Sequence, residues 1–224
     1  MFYERNLNNY IIELKNYIHA MRLYFYIPIV FLIVIIPIYV FTSCYIGYGL
    51  EFNYICDCFL TIMCKYCPAI GILWPIWVLQ IHIENEGREL MYMDKKEKWS
   101  SLMPFLCIYY CFIFISVVTF LPFLGFTLAI YTYIWLCVIT FGFYAITYMF
   151  SYLLKSVTLT IIPILMYVLF ILEPINSYVY KYSYIRIIFP MEISGMVKCF
   201  IFFIVSFVLY WIGKKLNNRY SDYP

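Results

Sequence analysis

The sequence predicts an all-α integral membrane protein with six transmembrane helices, and three observations carry that prediction. Hydrophobic residues fill 66% of the 224 positions and charged residues only 12%, too little polar composition to cover a soluble domain of this size. Mean hydropathy is +0.87. The apolar residues gather into runs of roughly 20, the length that crosses a bilayer core as a helix. The charges collect in short stretches, above all "HIENEGRELMYMDKKEKWS" at 82–100. Residues 1–224 therefore read as a single transmembrane domain.

Residues 1–22 place Tyr10, Ile11, Leu14, Tyr17 and Ile18 at helical spacing with Glu13, Lys15 and Asn16 between them, the pattern of an amphipathic helix lying in the membrane interface. A secretory signal would need a small-residue cleavage site, and none follows, so Leu23 to Thr42 reads as the first span, with kinks expected at Pro28 and Pro37. The second span starts near Tyr54 or Phe59 and ends at Ile83. Pro68 and Pro75 make it either one long bent helix or a shorter helix with a structured entry. Spans one and two thus occupy residues 23–83.

Residues 84–100 form a connection, and spans three to six occupy 101–213. The third, "SLMPFLCIYYCFIFISVVTF", turns at Leu121 and Pro122. The fourth runs from Phe126 to Phe150, Lys155 marks a polar break, the fifth runs from Val157 to Leu172, and the sixth from Met196 to Gly213. A polar tail occupies 214–224.

Basic residues set the orientation. With the N-terminus inside, 11 of the 15 Lys and Arg fall on the cytoplasmic side, and the positive-inside rule places both termini in the cytoplasm. The 84–100 connection is then cytoplasmic. Its acids Glu84, Glu86 and Glu89 precede its bases Lys95, Lys96 and Lys98, an order that complements the dipole of a short helix. Leu90, Met91 and Met93 give it an apolar side, and Trp99 suits re-entry into lipid. The alternative is a solvated loop whose charges only fix topology.

Chemistry-bearing residues are sparse. Cys56, Cys58, Cys64 and Cys67 fall within twelve positions, but their spacing is no usual zinc pattern, so packing of free thiols is favoured over a disulfide or a metal site. His19 and His82 sit at predicted boundaries, and no nucleophile and base share a helix face. Asp57 and Lys65 are cargo-pathway candidates if the second span includes them, because ionisable groups within membranes face cavities. Glu173 and Glu192, with Lys181 and Arg186, are candidates to line an exit route, although the two cations also suit snorkelling to headgroups. The 26 Tyr and 21 Phe suit an aromatic cavity or, equally, aromatic belts at the two interfaces.

The segment Glu84, Glu86, Gly87, Arg88, Glu89, Leu90, Met91, placed between the second and third of six spans, resembles the coupling helix of the type-two class of ABC exporter permeases. The N-terminal interfacial helix, the cytoplasmic termini and the last external connection fit the same layout over nearly the whole chain. The resemblance implies two permease chains, here a homodimer, and two cytosolic ATP-binding-cassette ATPase subunits docked on the coupling helices. It also implies short half-buried helices near 173–194. No G-x-x-x-x-G-K-[ST] phosphate loop is present, so the chain needs no cofactor of its own, and ATP and Mg belong to the partner. The expected cargo is an amphipathic peptide, such as a toxin or bacteriocin-like peptide, with a drug or lipid-linked compound as the alternative. Membrane lipids are the other expected contact, and nucleic acid is not expected. Ile, Tyr, Lys and Asn richness points to a bacterial cell membrane. The competing classes are a non-transporting immunity or scaffold protein and, last, a membrane-embedded enzyme.

Overall fold

A computed structural model describes residues 2–47, 52–84, 99–162 and 193–221. Among these residues every regular element is helical: α1 (Phe2–Met21), α2 (Tyr26–Val30), α3 (Ile36–Gly47), α4 (Phe52–Gly71), α5 (Leu73–Ile83), α6 (Trp99–Thr119), α7 (Leu121–Leu124), α8 (Phe126–Leu154) and α9 (Ile193–Ser221). Residues 157–162 are also helical. Among the described residues five stretches are long and apolar enough to cross a membrane: Leu14–Ser43, Ile55–Ile83, Ser100–Thr119, Phe126–Leu154 and Met196–Asn218. This is a multi-pass helical layout. Of the expected fifth span, only the opening at 157–162 falls within the described residues.

Prolines shape the first span. Pro28 cannot donate to the carbonyl of Tyr24, and Pro37 cannot donate to that of Ile33. The chain forms a 3-10 turn at Arg22–Phe25 and a π turn at Phe31–Ile35, the local adjustments that accommodate missing donors. Neighbouring helices serve two of the carbonyls in this irregular stretch. In the π register the carbonyl of Leu32 would pair with residue 37, a proline, and Ser116 Oγ donates to it instead at 3.4 Å. Trp74 Nε1 donates to the Phe25 carbonyl at 3.1 Å, its ring stacked on Phe25 with 5.1 Å between centroids. The apolar helical stretch also starts earlier than the expected span. Arg22 takes a left-handed φ of 48°, yet Tyr17 and Met21 of α1 are buried against the bundle, and the apolar stretch begins at Leu14 rather than Leu23.

The second span is one long bent helix. Pro75 lacks the N–H that would pair with Gly71 and crowds that carbonyl, so α4 ends at Gly71 and α5 begins at Leu73. Pro75 thereby occupies the first turn of α5, where a missing N–H matters least. Beyond α6, Gly125 turns the chain with φ 72° and ψ 157°, a backbone that side chains disfavour, and α8 follows. At its far end Lys155 terminates α8 in a left-handed conformation, φ 52°. The last helix runs on through Ser221, so the expected polar tail is helical over most of its length. Nothing in "KKLNNRYS" breaks a helix, and Lys215 lies 5.5 Å from the Trp211 ring centroid.

Helix directions follow from the contacts. Along the first and second spans, Tyr24 meets Trp77 while Phe31 meets Tyr66, one number rising as the other falls, so the two run antiparallel. The third is antiparallel to the second, with Phe105 on Trp74 and Phe120 on Phe59. The fourth is antiparallel to the third, with Tyr110 on Cys137 and Phe114 on Tyr133. The fourth and last behave differently. Trp135 meets Phe202, Gly142 lies against Phe202 and Ser206, and Tyr148 lies against Gly213; both numbers rise together, so α8 and α9 run parallel.

Lipid-soluble helices gain little from leaving a bilayer for one another, so small residues and interhelical hydrogen bonds must hold them. Both are present. Gly71, Gly142 and Gly213 each admit an aromatic ring from a neighbouring helix. Tyr109 donates to the Cys67 carbonyl at 2.5 Å and Tyr110 to the Cys137 carbonyl at 2.9 Å. Trp74, Tyr109, Tyr144, Phe59 and Phe105 form the fully buried centre.

Candidate functional site

One end of the bundle concentrates polar structure. The second span finishes at Ile83, and Glu84 follows with its N–H donating to the Gln80 carbonyl at 3.0 Å. Its carboxylate reaches across to the start of the helical segment 157–162. Oε1 of Glu84 accepts from the backbone N–H of Val157 at 2.8 Å and of Thr158 at 3.2 Å. It also accepts from the Ser156 hydroxyl at 2.9 Å and the Thr158 hydroxyl at 3.3 Å. First-turn amides have no acceptor within their own helix, and a carboxylate there gains from the dipole as well.

Local sequence prepares this end. The left-handed turn at Lys155 separates the two helices, and Ser156 accepts from the Leu159 N–H at 3.4 Å in an ordinary side-chain cap. Partial burial raises the Glu84 pKa, but the Thr158 and Val157 amides and the Ser156 and Thr158 hydroxyls outweigh it, holding the carboxyl below its usual range. The carboxylate is thus the form these bonds favour. Nearby, Tyr17 and the buried His82 are hydrogen bonded at 2.9 Å between the Tyr hydroxyl and Nε2, tying α1 to the same end of the second span.

Two charges fall within the second apolar stretch. Asp57 and Lys65 both lie within α4, inside the second span. Spacing of four and eight residues puts Asp57, Thr61 and Lys65 on one face, opposite the fully buried Phe59, Met63 and Cys67. Asp57 is exposed and Lys65 half-buried, its ammonium 5.8 Å from the Tyr66 ring centroid.

No protein-family model, curated protein or solved structure matches this chain.

Cys56, Cys58, Cys64 and Cys67 lie along α4 and form no disulfide, the latter two buried. Among the described residues no three of His, Cys, Asp or Glu gather as a metal site. Glu86, Gly87, Arg88, Glu89, Leu90 and Met91 lie outside the described residues, as do Glu173 and Glu192. Between α8 and α9 an apolar groove of about 330 Å³ is lined by Tyr131, Trp135, Met196, Phe200 and Phe203. Sequence reasoning marked Glu84 but missed its partners. Ser156 and Thr158, directly after the break at Lys155, carried the signal of a capped helix start.

Proposed function

We propose that this chain is the membrane-spanning permease subunit of an ATP-driven exporter, with ATP and Mg bound on a separate ATP-binding-cassette subunit. The bundle crosses the membrane six times in this reading. The parallel run of α8 and α9 supports it, since Leu154 and Ile193 then lie at opposite ends of that pair and an odd number of crossings joins them. The positive-inside rule puts both termini and the 84–98 connection in the cytoplasm.

The observation that carries the functional reading is the Glu84 contact. The first residue of the charged connection between spans two and three holds the start of another helix, so a load applied to that connection reaches the bundle. An ATPase docked on Glu86, Glu89, Leu90 and Met91 would apply such a load. Asp57 and Lys65, within the second span, are the pathway candidates on the described residues, with Glu173 and Glu192 further candidates. The aromatic groove between α8 and α9 suits an amphipathic peptide cargo, as do the aromatic side chains of the bundle.

Native mass spectrometry of the tagged chain, purified from its own membranes, tests the assembly. Two permease chains with two ATPase chains support the proposal. A stable monomer without ATPase, still protecting its cells from a peptide toxin, favours an immunity protein instead.

A further inference from the structure

We infer that Glu84 fastens the end of the second span to the start of the helical segment 157–162, so that the end of α5 and the helix entered at Val157 move as one unit. The fastening stands on geometry alone. Only its use in carrying force from an ATPase rests on the permease reading.

A helix start is ordinarily capped by the residue just before it. Here Ser156 does part of that work, but the amides of Val157 and Thr158 are satisfied by a carboxylate from a different helix, 72 residues away from Ser156 in sequence. Both sides of the contact are held. Glu84 follows α5, whose Trp74, Val78, Leu79 and Ile83 are almost fully buried, and its own N–H is tied to Gln80. On the other side, the Thr160 hydroxyl donates to the Ser156 carbonyl at 3.0 Å and meets Ser151 Oγ at 3.3 Å, so the helix start is braced against the end of α8. A displacement of Glu84 must therefore either break four hydrogen bonds to one oxygen or carry the segment with it.

The same bonds give Glu84 a role within the chain. Its carboxylate is occupied inside the chain, which makes it a positioning residue rather than a docking contact.

Amide exchange over Val157 and Thr158, together with spin-label distances between Gln80 and Leu159, tests the fastening in the full chain in nanodiscs. Replacing Glu84→Ala is expected to speed exchange at those amides by about fivefold, the scale of a lost helix cap, and to broaden the distance distribution. Glu84→Gln keeps a carbonyl acceptor and should restore part of the protection. Adding Ser156→Ala to Glu84→Ala should cost less than Ser156→Ala alone, because the two act through the same helix start. Unchanged exchange and distances in Glu84→Ala overturn the inference, and so does strict additivity. If Glu84→Ala fails to insert, Glu84→Gln and Ser156→Ala are read against the same two outcomes. None of these measurements needs an ATPase, so they stand or fall separately from the permease reading.

Discussion

Tyr109 lies over Gly71 so closely that a Cβ at position 71 would come within 2.7 Å of the ring, while its hydroxyl donates to the Cys67 carbonyl at 2.5 Å. One aromatic side chain thus fills the bend of the second span and bonds to the turn just before it. Gly71→Ala is expected to destabilise the bundle by about 1–3 kcal/mol, the usual scale of overpacking, because the ring it would meet is fully buried. Tyr109→Leu should lose stability alone yet partly rescue Gly71→Ala. Thermal unfolding of the four variants in detergent measures the cycle, and additive losses would show that the two residues do not share the site.

Tyr144 predicts the opposite sign. Among the described residues its buried hydroxyl has no hydrogen-bond partner, and such a group carries a desolvation penalty of roughly 1–3 kcal/mol. Tyr144→Phe keeps the ring and is expected to be neutral or stabilising in the same unfolding assay. A clear loss of stability would reveal a partner that this hydroxyl requires.

Acid should loosen the Glu84 contact. Its folded-state pKa lies below the usual value of 4.5, so the contact contributes stability that is fully present above that value. The contribution is lost as the pH falls through the lower folded value. Parent and Glu84→Gln should therefore differ most at neutral pH and converge in acid. The stability difference between them, followed from pH 7 downward, checks the sign; a difference that grows in acid contradicts it.

The second span shows how far the sequence could be read. Pro68 and Pro75 marked an interruption, but neither divides the apolar stretch Ile55–Ile83, and Asp57 and Lys65 of α4 fall within it. The Glu84 contact was illegible because pairing across 72 residues leaves no local period to detect. The first span was expected to begin after Arg22, since a charge there resembles a boundary. The helical apolar stretch instead takes in part of α1, where Tyr17 and Met21 are buried against the bundle. At the other end, Lys and Asn looked like a tail although none of them opposes a helix.

Topology can be read directly. In a background without other accessible cysteines, labels at Lys95 and Lys215 are expected to react only from the cytoplasm, and a label at Lys181 only from outside. Reaction of position 95 from outside would remove the basis for a cytoplasmic docking segment.

ATP hydrolysis that travels with the purified chain tests the central claim most directly. Leu90 and Met91 are the proposed apolar anchors of the docking segment, and truncating such an anchor commonly costs more than about 1 kcal/mol of binding. Lys96, on the basic side that sets topology, should matter little. The account predicts that the tagged chain copurifies with an ATP-hydrolysing subunit, that Leu90→Ala with Met91→Ala loses that subunit and the export of cargo while inserting normally, and that Lys96→Ala keeps both. Retention of ATPase and export by the double alanine variant, or the absence of any associated ATP hydrolysis from the parent, would contradict it.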